Sequence, residues 1–180
     1  MWSEYRTAFW FTVLFVLFAQ IHSKFEFTNL KCESFDKRFC DFERCYLKSV
    51  NRSYKYASVT VKLNQIPVNN FSVNLALLKR LNGYKPFLYN ITVDGCKYLN
   101  SVKSRNPVAK YFFDFISPYG NMNHRCPFDH DIIVERLPIH YVNYRATILL
   151  PFPEGDYMID STWMANGIPR AYVKVYGTIS

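Results

Sequence analysis

The sequence has no glycine-rich phosphate loop, no G-x-S-x-G elbow and no H-E-x-x-H pair. Those absences remove the nucleotide-binding, α/β-hydrolase and zinc-protease classes that carry such motifs. There is no internal repeat and no low-complexity linker, so neither a solenoid nor a disordered tether is expected. Beyond the N-terminus no apolar run approaches the roughly 20 residues that a helix needs to cross a bilayer, and the chain is expected not to span a membrane. Concentrated positive charge is missing too. The formal net charge is +8, yet Lys37-Arg38 and Lys79-Arg80 are the only adjacent basic pairs. Nucleic-acid recognition wants a basic face, so no nucleic-acid partner is expected. Scattered charge suits a solvated surface or attraction to anionic headgroups and acidic glycans.

Histidine is scarce as well. His124, Cys126, His130 and Asp131 lie close together, but their spacing matches no closed zinc pattern and Cys126 is better used in a disulfide. No nucleophile is singled out. The expectation is no metal, no cofactor, no catalytic residue and no enzyme activity.

What is present begins with a leader. Ala8 to Ala19 is apolar except for Thr12, follows a short polar flank, and runs through Gln20 to a small residue, Ser23. Residues 1–23 are expected to be a cleaved signal peptide, with residues 24–180 forming one secreted, extracellular domain. Loss of Glu4 and Arg6 removes one charge of each sign, so the net charge is unchanged. Three sequons, at Asn51, Asn70 and Asn90, point to a glycosylated surface.

Five cysteines in an oxidising compartment read as two bridges and one leftover thiol. Local pairing gives Cys32–Cys45 and Cys96–Cys126 and leaves Cys40 free. The sequence leaves open Cys40 in place of Cys45 as the partner of Cys32.

Most of the remaining chain alternates with period two. Ala57, Val59, Val61 and Leu63 form one run, Phe71, Val73, Leu75 and Leu77 a second, and Phe87, Tyr89, Ile91 and Val93 a third. Tyr157, Ile159, Ser161 and Trp163, then Ala171, Val173, Val175 and Ile179, repeat the pattern near the C-terminus. Each is expected to be a strand with one buried face. Asn82-Gly83 predicts a type I′ hairpin tip, and Asn166-Gly167 another turn. With strands near residues 25–30 and 42–50, about seven or eight short strands result, the count of a β-sandwich. One segment breaks the pattern. Asn106-Pro107 predicts a helix start, with Val108 to Ser117 continuing to Pro118. Val108, Phe112 and Phe115 line one face, and Tyr111, Phe113 and Ile116 widen it. That is more apolar surface than one stripe against a sheet uses.

Aromatic residues make up 18% of the chain, with an excess around this helix and around Leu149, Leu150, Phe152 and Trp163. Most belong in a core. Two sheets that splay apart would need the remainder as the lining of a cavity. Sequence alone does not separate a filled core from a lined cavity.

Several motifs point further. Asn82-Gly83-Tyr84-Lys85-Pro86-Phe87-Leu88-Tyr89-Asn90 and Asp94-Gly95-Cys96 come first. Cys126-Pro127-Phe128, Asp131-Ile132-Ile133-Val134, Pro151-Phe152-Pro153-Glu154-Gly155-Asp156-Tyr157 and Arg170-Ala171 follow. Together they resemble a large insect family of secreted proteins of unknown function. That family is similar to the CheB chemosensory proteins, and remotely to the ganglioside activator and the MD-2-related lipid-recognition proteins. The resemblance implies an all-β fold with one short helix, an immunoglobulin-like β-sandwich of the MD-2-related type, holding a lipid or other apolar ligand between its sheets. It favours Cys32, Cys45, Cys96 and Cys126 as the paired set.

The expected function is extracellular binding of a hydrophobic small molecule, a lipid, fatty acid or pheromone-like compound, with chemosensation among its uses. The expected lining is Tyr111, Phe112, Phe115, Ile116, Leu149, Leu150 and Phe152. The rival expectation is a secreted module with a filled core that acts through its surface on a membrane receptor or channel.

Overall fold

The alternating runs fold as strands, because an extended chain turns successive side chains to opposite faces and each run has one apolar face to bury. The computed structural model describes residues 23–101, 106–149 and 152–180. The expected signal peptide up to residue 22, and Leu150, lie outside the described residues. Among these residues the strands are β1 (Phe25–Ser34), β2 (Cys40–Ser49), β3 (Lys55–Leu63), β4 (Phe71–Leu81), β5 (Gly83–Asp94), β6 (Ile132–Pro138), β7 (Gly155–Ala165) and β8 (Ile168–Ile179). They form two antiparallel sheets, a five-stranded one in the order β1-β8-β7-β4-β5 and a three-stranded one in the order β2-β3-β6.

Strand β6 is the one that no alternating run announces. Its pairing with β3 shifts register between Ala57 and Val59, and Arg136 takes φ 52°. A bulge of this kind breaks the period-two pattern through which strands are legible. The two hairpin tips also differ. Asn166 and Gly167 both have positive φ, 53° and 76°, as a type I′ turn demands. At the other tip only Gly83 does, at 88°, so the type I′ turn expected at Asn82-Gly83 is not formed. Leu81 lies directly opposite Gly83, and Asn82 alone makes the reversal.

The expectation of a single short helix needs a larger correction. Three α-helices are present among the described residues: α1 (Gly95–Asn100), α2 (Pro107–Ile116) and α3 (Ile139–Asn143). A π-helical segment, Tyr144–Leu149, continues α3. At six and five residues, α1 and α3 are too short to display a helical period. Helix α2 starts where its sequence says it should. The Asn106 Oδ1 accepts from the Val108 and Ala109 backbone N–H groups, satisfying two donors that the first turn leaves orphaned.

The disulfide Cys32–Cys45 joins β1 to β2 and so ties one sheet to the other along that edge. Cys96–Cys126 ties α1 to the segment before β6, and Cys40 is a free, buried thiol. The pairing left open by sequence is thereby decided. The opposite edge, between β5 and β6, is occupied by α2. Its Phe112 ring lies 6.4 Å from Tyr89 of β5, and Gly120, just beyond the helix, bridges to Val134 of β6.

This placement explains why α2 is apolar nearly all round. Phe112 and Phe115 join the main cluster between the sheets with Phe25, Phe27, Leu77, Leu137 and Ile179. Ala109 and Phe113 face a second cluster containing Tyr98, Leu99, Met122 and Phe128. One helix serves two cores.

Candidate functional site: an apolar cavity between the sheets

The inner faces of the two sheets do not pack along their whole length but enclose a space. Ala57, Val59, Val61 and Leu63 of β3 look across at Ile159, Ser161 and Trp163 of β7 and at Ala171, Val173 and Val175 of β8. All of them line a cavity of ≈ 280 Å³. Native interiors are packed to crystal density with few voids larger than a water molecule, and one water needs only about 10–15 Å³ on this measure. The space is therefore an order of magnitude beyond a packing defect. The burial pattern agrees, for no large side chain among the described residues falls below 2% exposure. Small residues keep the space open: Ala57, Ala146, Ala165, Ala171 and Gly177 all lie on the wall. At Gly177 a Cβ would come within 2.3 Å of the Phe25 ring, so that ring packs directly on the strand backbone.

Of the side chains expected to line a pocket, Tyr111, Phe112, Phe115, Ile116 and Phe152 lie on this wall. Leu149 sits outside it and is 51% exposed, next to Ile148 and Tyr144, which are also exposed. The helix face is held by a polar clasp behind the wall. Tyr111 donates its hydroxyl hydrogen to the Arg145 carbonyl at 3.1 Å, and Tyr141 donates to the Asp114 carbonyl at 2.6 Å. Burial pushes the Tyr111 hydroxyl up to about 12, with the Arg145 cation pulling the other way, so it remains a donor at physiological pH. The Arg145 guanidinium pairs with Asp114 at 3.3 Å. It also lies 5.2 to 5.7 Å from the ring centres of Phe115, Tyr111 and Tyr141, within cation–π reach. This clasp fixes α2 to α3 across the open edge.

The far end of the cavity is built differently. There the β1–β2 loop folds over the start of β8, and Phe39, Cys40, Ala165 and Ala171 form a small cluster. Burial raises the Cys40 thiol above its ordinary value, which keeps it protonated and unreactive. Arg170 is the one charged side chain among the described wall residues. It belongs to the Arg170-Ala171 motif but not to the lining expected from the sequence. Its signal was a single cation opening an otherwise apolar alternation from Ala171 to Ile179.

The histidines that suggested a metal site form a hydrogen-bonded pair instead. The His124 Nδ1 lies 2.7 Å from the Arg125 carbonyl, which can only accept. Its Nε2 lies 2.9 Å from the His130 Nε2, and the Asn121 Nδ2 is 3.1 Å from the His130 Nδ1. The His130 Nδ1 also lies 2.9 Å from the Asp131 carbonyl. His124 lies against Phe128, with ring centres 4.3 Å apart, and so supports a wall residue from behind. Among the described residues no group of three or more potential ligands could hold a metal ion, and no helix is long and apolar enough to cross a membrane. The three sequon asparagines, Asn51, Asn70 and Asn90, are exposed.

Residues 73–159 match the family described as "Protein of unknown function (DUF1091)". The match covers β4 to β6 and half of β7, with α2 and both members of the Cys96–Cys126 bridge. It leaves out β1 to β3 and β8, which supply much of the remaining wall. No curated protein matches the chain.

Proposed function

We propose that this protein is a secreted, glycosylated carrier that takes an apolar ligand between its two sheets, in the manner of MD-2-related lipid-recognition sandwiches. The observation that carries the reading is the ≈ 280 Å³ cavity with its almost wholly hydrocarbon and aromatic wall. Such a wall offers a ligand burial and little else. At about 0.8 kcal/mol per methylene, ten buried methylenes supply roughly 8 kcal/mol, which outweighs the lower estimates of the cost of association. The two disulfides suit an oxidising compartment, and the exposed sequons suit the same route. A role in chemosensation is one use of such a carrier. The reading as a surface module acting on a receptor or channel draws on the exposed Tyr144, Ile148 and Leu149, but it does not account for an unfilled interior.

Titration of the purified protein with a fluorescent fatty-acid probe tests the proposal. The expected result is saturable uptake at one site per chain. No saturable uptake of any apolar probe would remove the carrier reading and leave the surface module in its place.

A further inference from the structure

The cavity is not uniform along its length. Tyr157 and Ala165, wall residues of the same strand, are separated by about 26 Å at a strand rise of ~3.3 Å per residue. At the Tyr157 end stand the rings of α2 and Phe152. At the Ala165 end stands Arg170. Its Nη1 donates to the Asp36 Oδ2 at 2.6 Å, and its guanidinium carbon sits 4.3 Å from the centre of the Phe39 ring. Those contacts fix the plane of the guanidinium and use one corner of it. Nε, on the opposite edge, is buried and has no hydrogen-bond partner.

Orphaned buried donors are rare and call for an explanation. Leaving one unmade costs about 1–3 kcal/mol, more where charge is involved. Arg145 has a similar orphan Nε, but it stands behind the wall, where three aromatic faces surround its charge. Arg170 belongs to the wall itself. The edge formed by Nε and Nη2 is the one that a carboxylate caps with two parallel N–H···O bonds. Arg38 also faces Asp36, at 3.6 Å, from a solvent-exposed position, while Lys37 pairs with Asp41 nearby.

We propose that Arg170 is the polar anchor of the cavity and receives the carboxylate of a long-chain monocarboxylic acid, whose hydrocarbon tail runs toward α2. This rests on the carrier reading and narrows it to a ligand class. The head group supplies the acceptor that the Nε edge lacks. The tail occupies the apolar length beyond it.

The test compares a fluorescent polyene fatty acid with its methyl ester, on wild type, Arg170→Met and the double variant Asp36→Asn with Arg170→Met. The double variant leaves no unpaired carboxylate at Asp36, so it keeps the question answerable if the single variant folds poorly. The expected result is that wild type binds the acid more tightly than the ester, and that both variants lose at least about tenfold in affinity for the acid. Affinity for the ester should stay within about threefold. Equal affinity of wild type for acid and ester overturns the anchor while leaving the carrier intact, as does parallel loss of both ligands in the double variant. Uptake of neither by wild type overturns the carrier reading and the anchor with it.

Discussion

Val175→Trp is expected to weaken apolar-probe uptake by more than tenfold without lowering the melting temperature. Val175 lies midway along β8, opposite Leu30 of β1 and Ile159 of β7 in the ladder, and its side chain is on the cavity wall. An indole there occupies space that a ligand would otherwise fill. Excluding only two methylenes of the ligand forfeits about 1.6 kcal/mol at ~0.8 kcal/mol each, already more than a factor of ten. Stability moves in a direction that separates the two readings of the interior. In a filled core the extra atoms force neighbours off their rotamers and cost about 1–3 kcal/mol. In a void they gain burial and displace nothing. Thermal melting and probe titration of the same sample therefore give opposite signatures. Unchanged or raised stability with lost uptake is the carrier's, and lost stability is the packed core's.

Replacing both Cys96 and Cys126 with serine is expected to remove most of the secreted, folded protein. The bridge closes a loop with a sequence separation of 30, and the chain-entropy model assigns about 3.5 kcal/mol to such a closure. That is a large share of the roughly 5–15 kcal/mol by which domains are stable. The position makes the loss worse. The loop contains α2, the element that closes the open edge between β5 and β6, and α1 packs its Tyr98 ring 5.4 Å from Phe113 of that helix. Loosening α1 therefore loosens the cavity wall. Cys40→Ala should leave the yield nearly unchanged, because Cys40 is unbridged and already lies against the open space. Secreted yield measured by quantitative blotting of the medium separates the cases. An equal loss for Cys40→Ala would mean that the bridge is not what holds the helix.

Strands β7 and β8 were legible because the alternation of their inward-facing residues is nearly unbroken. Tyr157, Ile159, Ser161 and Trp163 alternate without a break, and the matching run on β8 is interrupted only by Gly177, where Phe25 needs the room. Strand β6 was hidden because a bulge at Arg136 removes the alternation. The short helices were hidden because one and a half turns carry no period. The aromatic excess of α2 was visible, but its cause was not, since contact with two separate clusters is a tertiary fact. The same limit applied to the site. Most wall side chains of β3, β7 and β8 were legible as inward-facing residues, yet nothing in an alternating pattern says whether opposite inward faces touch. Leu149 was drawn in by hydrophobicity alone, and the π-helical segment turns it outward. Arg170 needed the fold of the β1–β2 loop, which brings Asp36 and Phe39 to it across 134 residues of chain.

The central claim is that the space between the sheets is occupied in life, and native mass spectrometry of the protein purified without detergent from its own secretory cells addresses it directly. The account predicts a population heavier than the deglycosylated chain by the mass of one hydrocarbon-rich molecule, released on unfolding and recovered as a monocarboxylic acid. A single species at the bare mass, together with failure of that sample to take up an added fatty acid, would contradict it.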